Sequence, residues 1–116
     1  MEFIKSLESI PLVKRIEQTS LAKSKYYPRL PLIIDRYKEQ DPPITQHKYL
    51  IGPDIQFSEL MVLLRKRIQL KSYQALFLFN KNNMVSMNDT IGNYYHQYGD
   101  KDGFLYIIYS TENTFG

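Results

Sequence analysis

Cysteine is absent from this chain of 116 residues. That omission excludes disulfides, thiolate zinc sites and thiol catalysis, and it suits a reducing compartment, so a cytoplasmic address is expected. Long apolar runs are missing too. The longest, FLYIIY at 104–109, is far short of a membrane span, and the opening MEFIKSLESIPLVKRIEQ has no continuous apolar stretch of the kind a signal peptide needs. Membrane contact therefore has to come from a surface or a covalent lipid. A strong charge of either sign is lacking as well: a net +3 tolerates acidic peptides, lipid headgroups or RNA without demanding them.

The usual marks of catalysis are also missing. There is no glycine-rich phosphate loop, no GxSxG elbow and no convincing acid–base pair, and Asp100 and Asp102 flank a turn where solvation accounts for them. His47 and His96 are far apart, with no partner at metal-ligand spacing, and read as ordinary surface histidines. Neither a metal nor an enzymatic activity is expected. Ten tyrosines and 15 Lys and Arg could supply stacking platforms beside a basic groove, but KDGFLYIIY lacks the basic-glycine-aromatic order of an RNA-recognition strand. RNA binding is kept as an alternative reading, and no nucleic-acid partner is expected.

What is present is an ordinary globular composition, 43% hydrophobic and 23% charged, at a length that allows one domain with one core. The pattern predicts two helices in the first 27 residues, with Pro11 in the first turn of the second. Strands are predicted at RLPLIID (29–35), within HKYLIGP (47–53), at ALFLFN (75–80) and at FLYIIY. FLYIIY is apolar on both alternating faces, as a central strand covered on both sides requires. Between the second and third strands, FSELMVLLRKRIQL places Phe57, Leu60, Met61, Leu64 and Ile68 along one helical stripe, with Arg65, Lys66 and Arg67 at the negative end of the helix dipole. Residues 81–83 read as a turn. DTIGNYYHQYG reads as a short helix capped by Asp89 and stopped by Gly99. The order is that of an α+β, ubiquitin-like β-grasp fold with a four-stranded mixed sheet. It divides into a helical extension (1–27), the grasp itself (28–109) and a flexible tail (110–116).

Three stretches, KYLIGPDIQFSELMVLLRKRIQL, ALFLFN and DKDGFLYIIYSTENTFG, together resemble the autophagy ubiquitin-like modifiers, the family that includes GABARAP and the light-chain-three proteins. The resemblance implies a modifier activated at Gly116 by an E1-like enzyme, passed to an E2-like enzyme and joined to phosphatidylethanolamine. Phe115 is then a grip for those enzymes and for a processing cysteine protease. A glycine lets the extended backbone enter a narrow enzyme tunnel, and two acyl chains anchor stably where one is marginal. No cofactor is implied beyond that covalent lipid. Without the resemblance Gly116 is simply the last residue of the sequence.

The resemblance also implies a groove for aromatic-x-x-aliphatic motifs of cargo receptors, bound as a strand added to the sheet edge. Pro31, Lys48, Leu50 and Phe104 match its aromatic pocket. Tyr49, Ile51, Leu60, Leu63 and Leu64 match its aliphatic pocket, and Arg67 and Arg29 would meet acidic residues of the peptide. Read from the residues alone, Leu60 and Leu64 are core, Leu63 lies off the stripe, Phe104 is core or pocket floor, and the RKR run is a solvated helix end. The chain departs from the family where Gly52 precedes Pro53, where Gln18 and Ala22 take the spacing of the family's Glu and Ile, with Glu17 and Leu21 one residue away, and where Val85-Ser86 replaces paired prolines. An alternative from another class is an unconjugated β-grasp module that binds peptides or cytoskeletal partners.

Overall fold

A computed structural model describes residues 1–112. The chain forms α1 (Glu2–Leu7), α2 (Leu12–Lys25), β1 (Leu30–Arg36), β2 (Lys48–Ile51), α3 (Phe57–Arg67), β3 (Phe77–Asn80), β4 (Asn83–Met84), α4 (Ile91–Tyr98) and β5 (Leu105–Ser110). The strand order is β2-β1-β5-β3-β4. β1 and β5 pair in parallel, Leu32 opposite Leu105, and the other pairs are antiparallel. This is the α+β, ubiquitin-like architecture, with five strands where four were expected. The extra strand, β4, has two residues, too few for alternation to show in a sequence. A hairpin turn with Lys81 at φ 56° leads Asn83, which was expected in the turn, back beside Asn80.

The stripe on α3 does what its spacing demands: Phe57, Leu60, Leu64 and Ile68 are buried against Leu32, Ile34, Leu78, Leu105, Ile107 and Tyr109 of the sheet. Glu59 secures the start of the helix by accepting the Gln56 N–H at 2.9 Å, as in a capping box. Gln69, at φ 56°, ends the helix three residues before the predicted limit of Leu70, whose N–H returns to the Arg65 carbonyl at 3.0 Å. α4 is capped by Thr90, whose hydroxyl accepts the Asn93 N–H at 3.2 Å, and not by Asp89. Asp89 instead orients the cap, accepting the Thr90 N–H at 2.9 Å. Pro11 is likewise the cap of α2, one position earlier than expected.

The N-terminal helices cover the other face of the sheet, where Leu7, Ile33 and Phe104 form a second cluster with Phe3, Ile4, Ile10 and Tyr106. This cluster is small, and polar contacts complete the attachment. Arg15 reaches Asp102 at 3.5 Å and the Leu7 carbonyl at 2.9 Å. The buried Thr19 hydroxyl donates to the Asp102 carbonyl at 2.8 Å. Asp35 accepts the Ile4 N–H at 3.1 Å beneath α1. His47 is not a surface histidine: its ring stacks on Phe3 with centroids 4.2 Å apart, and Nδ1 lies 2.9 Å from the Ile34 carbonyl.

Gly103 permits the Thr19 contact. It sits at φ +92°, and a Cβ there would fall 2.2 Å from the Thr19 hydroxyl. Gly103→Ala is therefore expected to cost about 3 kcal/mol, the sum of left-handed backbone strain and displacement of α2, read as a lower midpoint in urea unfolding. A second expectation concerns alkali. Burial, and then the hydrogen bond and charge of Asp102, hold the Tyr106 phenol well above its ordinary range; burial and the charge of Asp35 do the same for Tyr109. Both phenols ionise more readily in the unfolded chain, near pH ~10, so their contribution is intact below that pH and is lost as pH rises beyond it. The melting temperature should fall above pH ~10, and Tyr106→Phe should flatten the fall.

Candidate functional site

β2 is an edge strand, paired only with β1. The His47 carbonyl accepts the Ile34 N–H at 2.8 Å, so antiparallel alternation turns the backbone groups of Lys48 and Leu50 away from the sheet. The Lys48 carbonyl accordingly accepts the Gln46 side-chain amide at 2.9 Å, not a strand neighbour. Side chains alternate as well. Tyr49 is buried in the α3 core with Ile51 packed beside it, whereas Lys48 reaches across to Gln18 of α2, Nζ to Oε1 3.4 Å.

A groove of about 760 Å³ follows this edge. On the α2 side it is lined by Gln18, Leu21, Ala22, Pro31, Lys48, Leu50 and Phe104, and on the α3 side by Tyr49, Ile51, Leu63 and Arg67, with Arg29 and Gln46 completing it. A second cavity of about 350 Å³ continues it past Leu50, Ile51 and Leu63 to Gly52, Ile55, Glu59 and Leu60, with Arg29 shared. Pro31 is brought to Leu50 by strand register. Phe104 is 4% exposed and serves both the second core cluster and the groove floor. Leu64 lines neither cavity and is wholly buried in the core under α3. Leu60 is 1% exposed and touches only the smaller cavity. Phe115 and Gly116 lie outside the described residues.

The electrostatics are one-sided. Arg29, Lys48 and Arg67 line the larger groove with no carboxylate among its lining residues, and no ion pair among the described residues engages them. Arg67 instead donates to Gln46 Oε1 at 3.3 Å. The Tyr49 hydroxyl is buried without a hydrogen-bond partner; burial raises its pKa and the nearby Arg67 charge opposes the rise. The groove can thus take an extended, acidic segment with apolar side chains at alternating depth. Nothing in it supplies a nucleophile beside a base, and no group of three or more His, Asp or Glu among the described residues could hold a metal ion.

Sequence reasoning missed Gln46 and Ile55. Gln46 lies in the polar stretch before β2, and only the strand's outward carbonyl reveals its role. Ile55 follows Gly52-Pro53 in a segment with no periodicity, and its place shows only once the chain bends between β2 and α3. Of the residues at the departing positions in α2, Gln18, Leu21 and Ala22 reach the groove and Glu17 does not.

Residues 14–116 match the sequence model of the family described as "Autophagy protein Atg8 ubiquitin like". Autophagy-related protein 8 of Pichia angusta is 39% identical over 107 residues, covering 91% of this chain and 86% of that protein. Autophagy-related protein 8a of Arabidopsis thaliana is 38% identical over 109 residues, covering 93% and 89%. Among solved structures, Trypanosoma brucei ATG8 superposes with a TM-score of 0.84 at 28% identity, over 91% of this chain and 92% of that one. Plasmodium falciparum Atg8 in complex with a Plasmodium falciparum Atg3 peptide gives 0.80 at 26% identity, over 91% and 94%. On sequence and fold together, the chain belongs to the Atg8 family of autophagy proteins, which are ubiquitin-like modifiers and not enzymes.

Proposed function

We propose that this protein is a modifier joined through Gly116 to phosphatidylethanolamine, and that on autophagosomal membranes it captures cargo receptors carrying aromatic-x-x-aliphatic motifs. The observation that carries the reading is the cation-lined groove along the unpaired edge of β2, in a chain of this family. A motif entering as a new strand bonds to the outward groups of Lys48 and Leu50. Its aromatic side chain sits between α2 and β2 over Phe104, its aliphatic one between β2 and α3 beside Leu63, and its acidic residues face Arg29 and Arg67. Burying ~150 to 250 Å² of the aromatic ring supports micromolar affinity once ordering costs are deducted. The E2-like enzyme is one such partner by analogy with the relative that holds an Atg3 peptide.

The conjugation half of the reading rests on the family and on the terminal Thr-Phe-Gly of the sequence. No described helix is long and apolar enough to cross a membrane, so attachment falls to the lipid. The cycle then needs an E1-like enzyme and an E2-like enzyme, with a cysteine protease to release the lipid, and the unconjugated protein is cytoplasmic.

Incubation with those two enzymes, ATP and phosphatidylethanolamine liposomes should give a lipid adduct with wild type and none with Gly116→Ala. An absent adduct with wild type, or an equal one with the variant, sinks conjugation through Gly116 and leaves an unconjugated adaptor. Separately, titration with an acidic Trp-x-x-Leu peptide should weaken at least about tenfold when Lys48 and Leu50 are both replaced by Ala. Unchanged binding would remove the groove from the proposal.

A further inference from the structure

The main-chain ladder of β5 ends at Ser110, opposite Phe77, and its other neighbour, β1, is last matched at Tyr109. Thr111 has no strand partner, yet its N–H is held: it donates to Asp41 Oδ1 at 3.0 Å. The same oxygen accepts the Thr111 hydroxyl at 3.1 Å and the Ser110 hydroxyl at 3.3 Å, while Oδ2 accepts the Lys38 N–H at 2.9 Å. Ser110 Oγ in turn accepts the Glu112 N–H at 3.1 Å. Asp41 is only 4% exposed, and no cation pairs with it among the described ion pairs. The loop that carries it is itself fixed: Arg36 donates to the Asp41 carbonyl at 3.2 Å, and the Tyr109 hydroxyl donates to the Pro42 carbonyl.

A buried carboxylate is a costly way to close a loop, since an apolar residue would fill the space without desolvating a charge. Here one of its two oxygens is spent wholly on the last residue of β5 and the first beyond it. We infer that Asp41 is a positioning residue for conjugation: it clasps Ser110 and Thr111 so that the segment leading to Gly116 leaves the sheet from a fixed point and in a fixed direction. The inference rests on the proposed use of Gly116. Residues 112–116 span at most about 18 Å, so the anchored point decides which part of an enzyme's surface the terminal carboxylate can reach. When the clasp is lost, residues 110–112 must be ordered again each time an enzyme binds. That cost falls on association and leaves the chemical step alone.

The test measures steady-state charging of the E1-like enzyme with ATP for wild type, Asp41→Ala and Thr111→Pro. The proline removes the clasped N–H from the tail side and leaves the 38–41 loop intact. Both variants should raise KM for the modifier about tenfold with kcat within about twofold of wild type. In Asp41→Ala the Thr111 amide should lose its protection from hydrogen exchange. Affinity for the Trp-x-x-Leu peptide, whose groove shares no lining residue with the clasp, should not change. Unchanged KM in both variants overturns the inference, as does a loss confined to kcat. A parallel fall in peptide affinity overturns it too, because it marks a general loss of fold. If Asp41→Ala does not fold, Thr111→Pro alone decides. Failure of wild type to charge at all removes the Gly116 reading first, and this inference with it.

Discussion

Parallel pairing of β1 with β5 is the constraint on which the rest of the arrangement depends. Parallel neighbours cannot be joined by a hairpin, so everything from residue 37 to residue 104 is the crossover between them. That crossover supplies β2 on one flank, β3 and β4 on the other, and α3 across the intervening face. The pairing also fixes the two ends that matter. β5 finishes at the same end of the sheet as β1, which brings Ser110 and Thr111 beside the loop that leaves β1. β2 is pushed outward and keeps one side unpaired. A tail exit and an open edge are therefore two results of a single topological choice.

The apolar core accounts for the grasp but not for what is attached to it. Three buried aspartates divide that task. Asp35 holds the start of α1, Asp102 holds α2 through Arg15 and the turn before β5, and Asp41 holds the residues after β5. Each accepts a backbone N–H group: Ile4, Phe104 and Thr111 respectively. The N-terminal cluster around Leu7, Ile33 and Phe104 is too small to secure two helices by itself. Hydrogen bonds to carboxylates, stronger than neutral ones, make up the difference and fix orientation as well.

Legibility in the sequence followed the range of the interactions. The α3 stripe and the doubly apolar β5 could be read directly, because spacing within one element encodes which face is buried. Leu63 could be separated from Leu60 and Leu64 for the same reason, one position off the stripe being enough to turn a side chain toward the groove. Thr90 was missed because Asp89 is an equally good cap by type, and only the bond to Asn93 decides between them. β4 was missed because two residues carry no period. The role of Asp41 could not have been found at all: the partners of its Oδ1 lie 69 and 70 positions away, in a segment that reads as an unstructured tail. The groove residues were legible only through resemblance to the family. In isolation each has an ordinary structural role, and that role is real for Phe104, which is buried and lines the groove at once.

An unpaired edge strand is a hazard, because any second strand can add to it, including one from another copy of the same chain. Here the edge is short, four residues, and flanked by positive charge. Two identical edges brought together would set Lys48 and Arg67 of one against the same residues of the other, so the charge that would draw in the proposed acidic strand also opposes self-pairing. Gln46 adds a second restraint by occupying the Lys48 carbonyl with its amide and Arg67 with its oxygen. A strand that displaces it must return both bonds: a main-chain N–H for the carbonyl and an acceptor for the guanidinium. An acidic peptide returns both and strengthens the second, whereas a neutral strand returns only the first. On the proposed reading, selection of acidic strands would come from what the incoming chain must replace as much as from the field it enters.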